Sequence, residues 1–185
     1  MKRENAAEEI EIKLRIPEGA LDLLRAKLAE NGFRETAPRG LEDNVLFDGP
    51  DRRLVRAGSA LRLRLYDGRS VLTWKGPVKP DRDLKIREEI ETTVSDRDGT
   101  IAILNRLGLC PVLSYRKYRE KYRAALAGPV EVCLDETRIG WFIEIEGSED
   151  DIAATLAGLG LDRSEAVKAT YVELLGEPVE EGSGQ

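Results

Sequence analysis

The chain contains no histidine. That absence removes Ser-His-Asp and Cys-His catalysis and every histidine metal site. A bound metal must be held by oxygen ligands, which suits Mg²⁺, Mn²⁺ or Ca²⁺. Acid–base work falls to Glu, Asp, Lys, Tyr or metal-bound water. Cysteine is scarce. Cys110 and Cys133 stand far apart, form no CxxC pair, and read as two buried or half-buried thiols of a reducing compartment. Aromatic residues make up only 5% of the chain. Met1 to Ile16 holds no long apolar run, so it reads as neither a signal peptide nor a membrane anchor, and the expected location is the cytoplasm.

Charge is what the chain has in excess. Charged residues are 35% of the total and the net charge is −6. A net acidic chain lacks the basic field that non-specific nucleic-acid or anionic-membrane binding needs. A small anion bound in a local basic cluster with a metal ion remains compatible with that charge. The length of 185 residues suits one domain, expected over residues 1–176. The acidic, glycine-containing stretch 177–185 is expected to be a disordered tail.

Much of the charge alternates with apolar residues. Glu9-Ile10-Glu11-Ile12-Lys13-Leu14-Arg15-Ile16 and Leu61-Arg62-Leu63-Arg64-Leu65 are the clearest runs. Leu72-Thr73-Trp74-Lys75, Arg87-Glu88-Glu89-Ile90-Glu91 and Phe142-Ile143-Glu144-Ile145-Glu146 follow the same rule. Successive side chains of a strand point to opposite faces, so each run predicts a strand with one charged and one apolar face. Tyr66-Asp67-Gly68-Arg69 predicts a type I′ hairpin turn. Ala127-Gly128-Pro129 and Glu136–Gly140 predict two further turns, and Pro77–Asp81 a loop. Hairpin-linked strands make the sheet antiparallel.

Helices are expected between the strands. Ala20–Asn31 carries Leu21, Leu24 and Leu28 on one face, with Gly32 closing it. A second helix runs from Ser95 to about Leu107 and ends at Gly108; Ser148 and Asp151 look like the capping box of a third. Ser164 or Asp162 is placed to cap a last helix through Tyr171 and Leu174.

The alternating charges differ in sign along the chain. Arg62, Arg64, Lys75, Arg87, Lys117 and Arg119 come from the middle, whereas Glu9, Glu11, Asp135, Glu144 and Glu146 come from the two ends. Each strand by itself would suit a sheet with one wet face. Six or more such strands closed into a barrel would bring both sets around one lumen, with the apolar faces outward against helices. Crowded carboxylates call for a divalent cation, and clustered Arg and Lys for an anion with many oxygens. A metal–triphosphate complex satisfies both. Glu88, Lys121 and Arg123 read as solvated, and Tyr115, Tyr118 and Tyr122 as packing residues.

These residues carry a family resemblance. Glu9-Ile10-Glu11-Ile12-Lys13 resembles the ExExK signature of CYTH-domain proteins, the triphosphate tunnel metalloenzymes. The resemblance continues in order through Gly58–Arg64, Leu72–Pro77, the RxExE pattern of Arg87–Glu91, the KxRxxY pattern of Lys117–Tyr122, Leu134-Asp135 and Phe142–Glu146, ending at Thr170–Leu175. It implies an α+β fold: a closed eight-stranded antiparallel β-barrel, the triphosphate tunnel, with flanking helices. It implies Mg²⁺ or Mn²⁺ on Glu9, Glu11, Asp135, Glu144 and Glu146. Phosphates would be held by Lys13, Arg62, Arg64, Lys75, Arg87, Lys117 and Arg119. Lys75 and Glu89 become the catalytic candidates. The partner is a triphosphate-bearing small molecule, with no nucleic acid or membrane, and the protein a monomer or homodimer.

One stretch departs from the family pattern. Many members carry Asp-x-Tyr-Phe/Tyr-Asp after the first helix, where this chain has Asn44-Val45-Leu46-Phe47-Asp48. In some triphosphatases that tyrosine pairs with the lysine matching Lys75 to activate water. Here Lys75 alone, a carboxylate such as Glu89, or metal-bound hydroxide is left to do so. Three activities follow: hydrolysis of inorganic tripolyphosphate or an organic triphosphate, class IV adenylyl cyclisation of ATP, or non-catalytic polyphosphate or nucleotide binding. Hydrolysis ranks first, because no base-recognition site is legible in the sequence.

Overall fold

The alternation of the first strand decides which way the sheet faces. The structure is a computed structural model that describes residues 6–81, 83–124 and 130–178. In β1 (Ala6–Ile16), Ile12, Leu14 and Ile16 are buried on the outer face. There they pack with Leu24 and Leu28 of α1 (Leu21–Glu30) and with Ile152 and Leu156 of α4 (Glu149–Leu159). Burying each such aliphatic side chain is worth roughly 1.5–3 kcal/mol, so this layer holds the wall of the barrel in place. The intervening Glu9, Glu11 and Lys13 therefore point inward.

The remaining strands are β2 (Phe33–Asp48), β3 (Ala60–Tyr66), β4 (Arg69–Lys75) and β5 (Lys85–Val94), then β6 (Cys110–Ala124), β7 (Glu131–Thr137), β8 (Gly140–Glu146) and β9 (Glu177–Pro178). Their order is β2-β3-β4-β5-β1-β8-β7-β6, and β6 pairs back onto β2, closing an antiparallel barrel of eight strands. Closure removes the sheet edges that would otherwise be left open. The expected fold class is therefore what forms. The one-turn α2 (Arg53–Arg56) follows β2, and a second outer layer, with Leu63, Phe47 and Leu104 at its centre, seats α3 (Arg97–Arg106) against the barrel. No helix among the described residues is long and apolar enough to cross a membrane.

The β3–β4 hairpin has Asp67 at φ 50° and Gly68 at φ 68°, the left-handed pair a type I′ turn needs. The β7–β8 turn is shorter than expected, because Glu136 and Thr137 still pair across the ladder with Trp141 and Gly140. The turn expected at Ala127-Gly128-Pro129 lies outside the described residues.

Several boundaries differ from the sequence reading. The cap of α3 is Asp96, not Ser95: its carboxylate accepts from the Gly99 amide at 2.8 Å. The expected last helix is two pieces. Asp162 caps only a short 3₁₀ turn at Arg163–Glu165. The helix proper, α5 (Tyr171–Leu175), starts afresh with a capping box between Thr170 and Glu173. The tail does not begin at Glu177, since Glu177 and Pro178 pair with Ser114 and Leu113 of β6 as β9. Residues 179–185 lie outside the described residues. Cys133 is buried, but Cys110 at the start of β6 is exposed.

Candidate active site

The barrel encloses a cavity of about 890 Å³ lined by charged side chains from every strand except β9. Register explains the wall. Across β1 and β8, Glu11 faces Glu146 and Lys13 faces Glu144; across β1 and β5, Glu9 faces Arg87 and Glu11 faces Lys85. Cross-strand partners stand roughly 4.5–5.5 Å apart, so opposite charges can meet without reaching.

One cluster centres on Lys75 at the end of β4. Its ammonium lies 2.8 Å from Glu89 Oε2 and 3.2 Å from Glu9 Oε2. Arg87 Nε donates to the same Glu9 oxygen at 3.0 Å. Burial by itself would raise the Glu9 pKa, but Lys75 and Arg87 outweigh it and hold Glu9 well below the usual carboxylate range. Glu89 goes the other way. Burial first, then its hydrogen bond with Glu9, push it up to about 8 against the pull of Lys75. Two neighbouring carboxyls with one proton between them is the outcome of crowding like charges in a partly desolvated wall.

A second cluster lies deeper. Asp135 is fully buried; Lys117 Nζ is 3.0 Å from it, and Arg119 donates two bonds of 2.6 Å to its two oxygens. Arg119 also donates to Glu144, whose other oxygen lies 3.3 Å from Lys13 Nζ. Glu42 of β2, fully buried, stands 3.6 Å from Lys117 Nζ and 3.8 Å from Arg119 Nε. Burial raises its pKa, yet Lys117, Arg119, Arg62 and Arg64 together bring it below the ordinary carboxylate range.

On the β3–β5 side, Arg62 and Arg64 each approach Glu91 Oε1 at 3.6 Å, and Thr73 Oγ1 donates to that oxygen at 2.7 Å. Lys85 Nζ donates to Glu11 at 2.8 Å. Glu146 sits at the open mouth, and among the described residues no hydrogen bond or salt bridge reaches its carboxylate. Desolvation by the surrounding wall, then Glu9, Glu131 and Glu11, push it up to about 7.

The structure thus brings Glu9, Glu11, Glu144 and Glu146 into one tunnel with Lys13, Arg62, Arg64, Lys75, Arg87, Lys117, Arg119 and Glu89. Asp135 is in the same wall, but behind its three partners, Lys117, Arg119 and the hydroxyl of Tyr171. The two signs interleave as pairs; they do not form separate sectors. Lys121 and Arg123, read as solvated, line the cavity beside Glu131. Tyr115 also lines the cavity.

Sequence reading missed Glu42, Lys85, Glu91 and Tyr171. A signal existed for three of them. Lys85 and Glu91 share the parity of Arg87 and Glu89, and Glu42 shares that of Asn44 and Leu46. Pro38 and Gly40 interrupt β2 and hid its full length of 16 residues. Nothing local marks Tyr171 as an interior residue.

The carboxylates supply only hard oxygen donors, and Glu11, Glu146 and Glu131 sit side by side through the Glu11–Glu146 and Glu146–Glu131 pairings. That donor set fits Mg²⁺ or Mn²⁺. Among the described residues no three carboxylates already converge on one point. Cation binding would therefore exchange partners: carboxylates pass from ammonium groups to metal, and the freed Lys and Arg pass to phosphate oxygens.

Comparison with known proteins gives consistent results. The family model described as CYTH domain matches residues 7–171. A Methanocaldococcus jannaschii protein, named as a candidate adenylate cyclase, is 32% identical over 91% of this chain and 98% of its own. A solved structure of a Pyrococcus horikoshii OT3 protein is 31% identical, covers 90% of this chain and 97% of its own, and superimposes with a TM-score of 0.71. A candidate adenylyl cyclase from Hippeastrum, described as having a dominant triphosphatase activity, is 26% identical over 88% of this chain and 92% of its own, with a TM-score of 0.68.

Proposed function

The chain belongs to the CYTH domain family, and from that premise we propose that it hydrolyses a triphosphate in its tunnel with Mg²⁺ or Mn²⁺ as cofactor. The observation that carries this reading is the Glu9–Lys75–Glu89 cluster, one cation between two carboxyls whose pKa values are driven apart. Groups separated in this way can divide acid and base roles at one pH.

Lys13, Arg62, Arg64, Lys117 and Arg119 bind the phosphate chain and neutralise its oxygens. Lys75 and Arg87 orient the terminal phosphoryl group. Glu9, Glu11, Glu144 and Glu146 would hold the divalent cation, which when bound adds charge neutralisation on the phosphoryl oxygens. Asp135 keeps Lys117 and Arg119 aimed into the tunnel. Water attacks the terminal phosphorus as the bridging P–O bond breaks. Its proton passes to ionised Glu89, and orthophosphate and the shortened phosphate leave. Leu46 has no hydroxyl to offer, so Glu89 takes the role a tyrosine would share with lysine. We place this activity in the cytoplasm.

A second reading, cyclisation of ATP to cyclic AMP and pyrophosphate, is favoured by the name of the M. jannaschii relative. Phosphorus NMR separates the two. Purified protein with Mg²⁺ or Mn²⁺ is given tripolyphosphate and ATP in separate tubes, with and without EDTA. Orthophosphate release that EDTA stops supports hydrolysis; cyclic AMP with pyrophosphate supports the cyclase. Unchanged rates in both Glu9→Gln and Lys75→Ala would remove these residues from the mechanism.

A further inference from the structure

The lysines and arginines that line the tunnel are held by carboxylates, with one exception. Lys13, Arg62, Arg64, Lys75, Lys85 and Arg87 each form an ion pair, and so do the four cavity-lining cations of β6. Arg52 lines the same cavity, yet among the described residues its guanidinium makes no hydrogen bond or ion pair. We propose that Arg52 is a further phosphate-binding residue, which meets the terminal phosphate at the Lys75 end of the tunnel. The proposal rests on the triphosphatase reading and adds to it a residue that no strand pattern marks, because Arg52 belongs to a connection between strands.

The strand ends fix where Arg52 sits. Residues 49–59 link β2 to β3. Ala60, the first residue of β3, is the cross-strand partner of Lys75. Pro77, two residues past Lys75, lies 3.4 Å from where a Cβ on Gly58 would stand. The connection therefore lies over the end of the barrel where Lys75 meets Glu9 and Glu89. Asp48 fastens it there: its carboxylate accepts from the amides of Gly49 at 2.7 Å and of Leu54 and Val55 at 3.0 Å each. Those bonds engage both Asp48 oxygens, and Arg52 feels that carboxylate only at longer range.

The backbone points the same way. Arg52 has φ 55° and ψ 37°, the left-handed region in which Cβ crowds the following carbonyl oxygen. The other non-glycine residue with positive φ among the described residues, Asp67, sits in a hairpin turn that suits Asp. No such preference explains Arg52. Strain of this kind persists where the surroundings impose it, and it gathers at functional sites. Here the Asp48 bonds impose it, together with the Arg52 amide, which donates to the Gly49 carbonyl at 2.9 Å. Arg53 and Arg56, on the same connection, do not line the cavity. Every other cation of the tunnel must leave a carboxylate before it can take a phosphate oxygen to itself; Arg52 has no partner to give up. Exposed at the mouth, it also draws an anion in before the anion reaches the walls.

The test is Arg52→Gly. Glycine removes the guanidinium and takes a positive φ without penalty, so function and fold separate. With Mg²⁺ and whichever of tripolyphosphate and ATP the protein hydrolyses faster, KM is expected to rise about tenfold, the scale of one hydrogen bond to a charged group. The thermal midpoint is expected to stay level or rise. An unchanged KM overturns the proposal and leaves hydrolysis standing. A raised KM with a lower midpoint is decided by Arg52→Lys, which keeps the charge without the guanidinium fork. A KM between those of wild type and Arg52→Gly supports the proposal, and one as high as in Arg52→Gly overturns it. If neither compound is hydrolysed, the triphosphatase reading has failed, and calorimetric titration with tripolyphosphate and Mg²⁺ decides the role of Arg52. Binding about tenfold weaker in Arg52→Gly supports it; equal binding, or none in the wild type, overturns it.

Discussion

The hydroxyl of Tyr171 donates a 2.6 Å hydrogen bond to Asp135 Oδ2 across 36 positions of sequence. On the same ring the ammonium groups of Lys13 and Lys117 stand 3.8 Å and 4.0 Å from the centroid. Burial first, and then Asp135, keep the phenol well above its ordinary pKa, so it stays a donor. One aromatic residue of α5 thus contacts two lysines proposed to bind phosphate and the carboxylate that pairs with a third cation, Arg119.

Tyr171→Phe is expected to retain the ring and lose only the bond to Asp135. That costs roughly 1 kcal/mol, a fall in the thermal midpoint of about 2–4 °C. Tyr171→Leu also removes the cation–π contacts, worth roughly 0.5–2 kcal/mol each. Its KM for the triphosphate should rise further than in Tyr171→Phe. Equal KM in the two variants would mean the ring does not position the lysines.

Glu89 accepts a proton only when ionised, and its pKa is pushed up to about 8. The kcat/KM profile, which reports the free enzyme, should rise with pH through that value. Glu89→Gln should flatten the rise and lower the plateau by about 10²-fold or more. A profile that keeps its rise in Glu89→Gln would assign the limb to another group.

Glu146, raised to about 7 by desolvation and by Glu9, Glu131 and Glu11, gives a stability signature without substrate. Its folded pKa exceeds the unfolded value, so its favourable contribution is complete at low pH and is lost as pH rises through about 7. In metal-free protein Glu146→Gln should leave the thermal midpoint unchanged at pH near 4 and raise it near pH 8. After solvent screening the gain is about 1 kcal/mol or less, roughly 2–4 °C at most. A midpoint difference that does not change with pH would show that these carboxylates do not crowd one another.

The strands were legible because a half-buried strand repeats every two residues, and the runs around Glu9, Arg62, Arg87 and Glu144 keep that period without a break. The hairpin at Asp67-Gly68 was legible for a local reason too, as two left-handed residues fix its turn. Where local signals were interrupted the reading failed. Pro38 and Gly40 hid the first half of β2 and with it Glu42, and the register shift between the Leu46–Leu113 and Phe47–Pro111 pairs let Val112 line the cavity against the parity of Leu113 and Tyr115.

What the sequence alone determined is the inventory and the two-faced pattern: no histidine, hence no histidine metal site, and strands with one charged and one apolar face. Those follow from side-chain chemistry and from period-two geometry, which need no knowledge of neighbours. Only the tertiary structure decided the pairing. It set Lys75 between Glu9 and Glu89, sank Asp135 behind Lys117 and Arg119, and brought Tyr171 from the far end of the chain into the barrel. Each of these depends on register and closure between strands distant in sequence, where a shift of one residue would turn every such side chain to the other face.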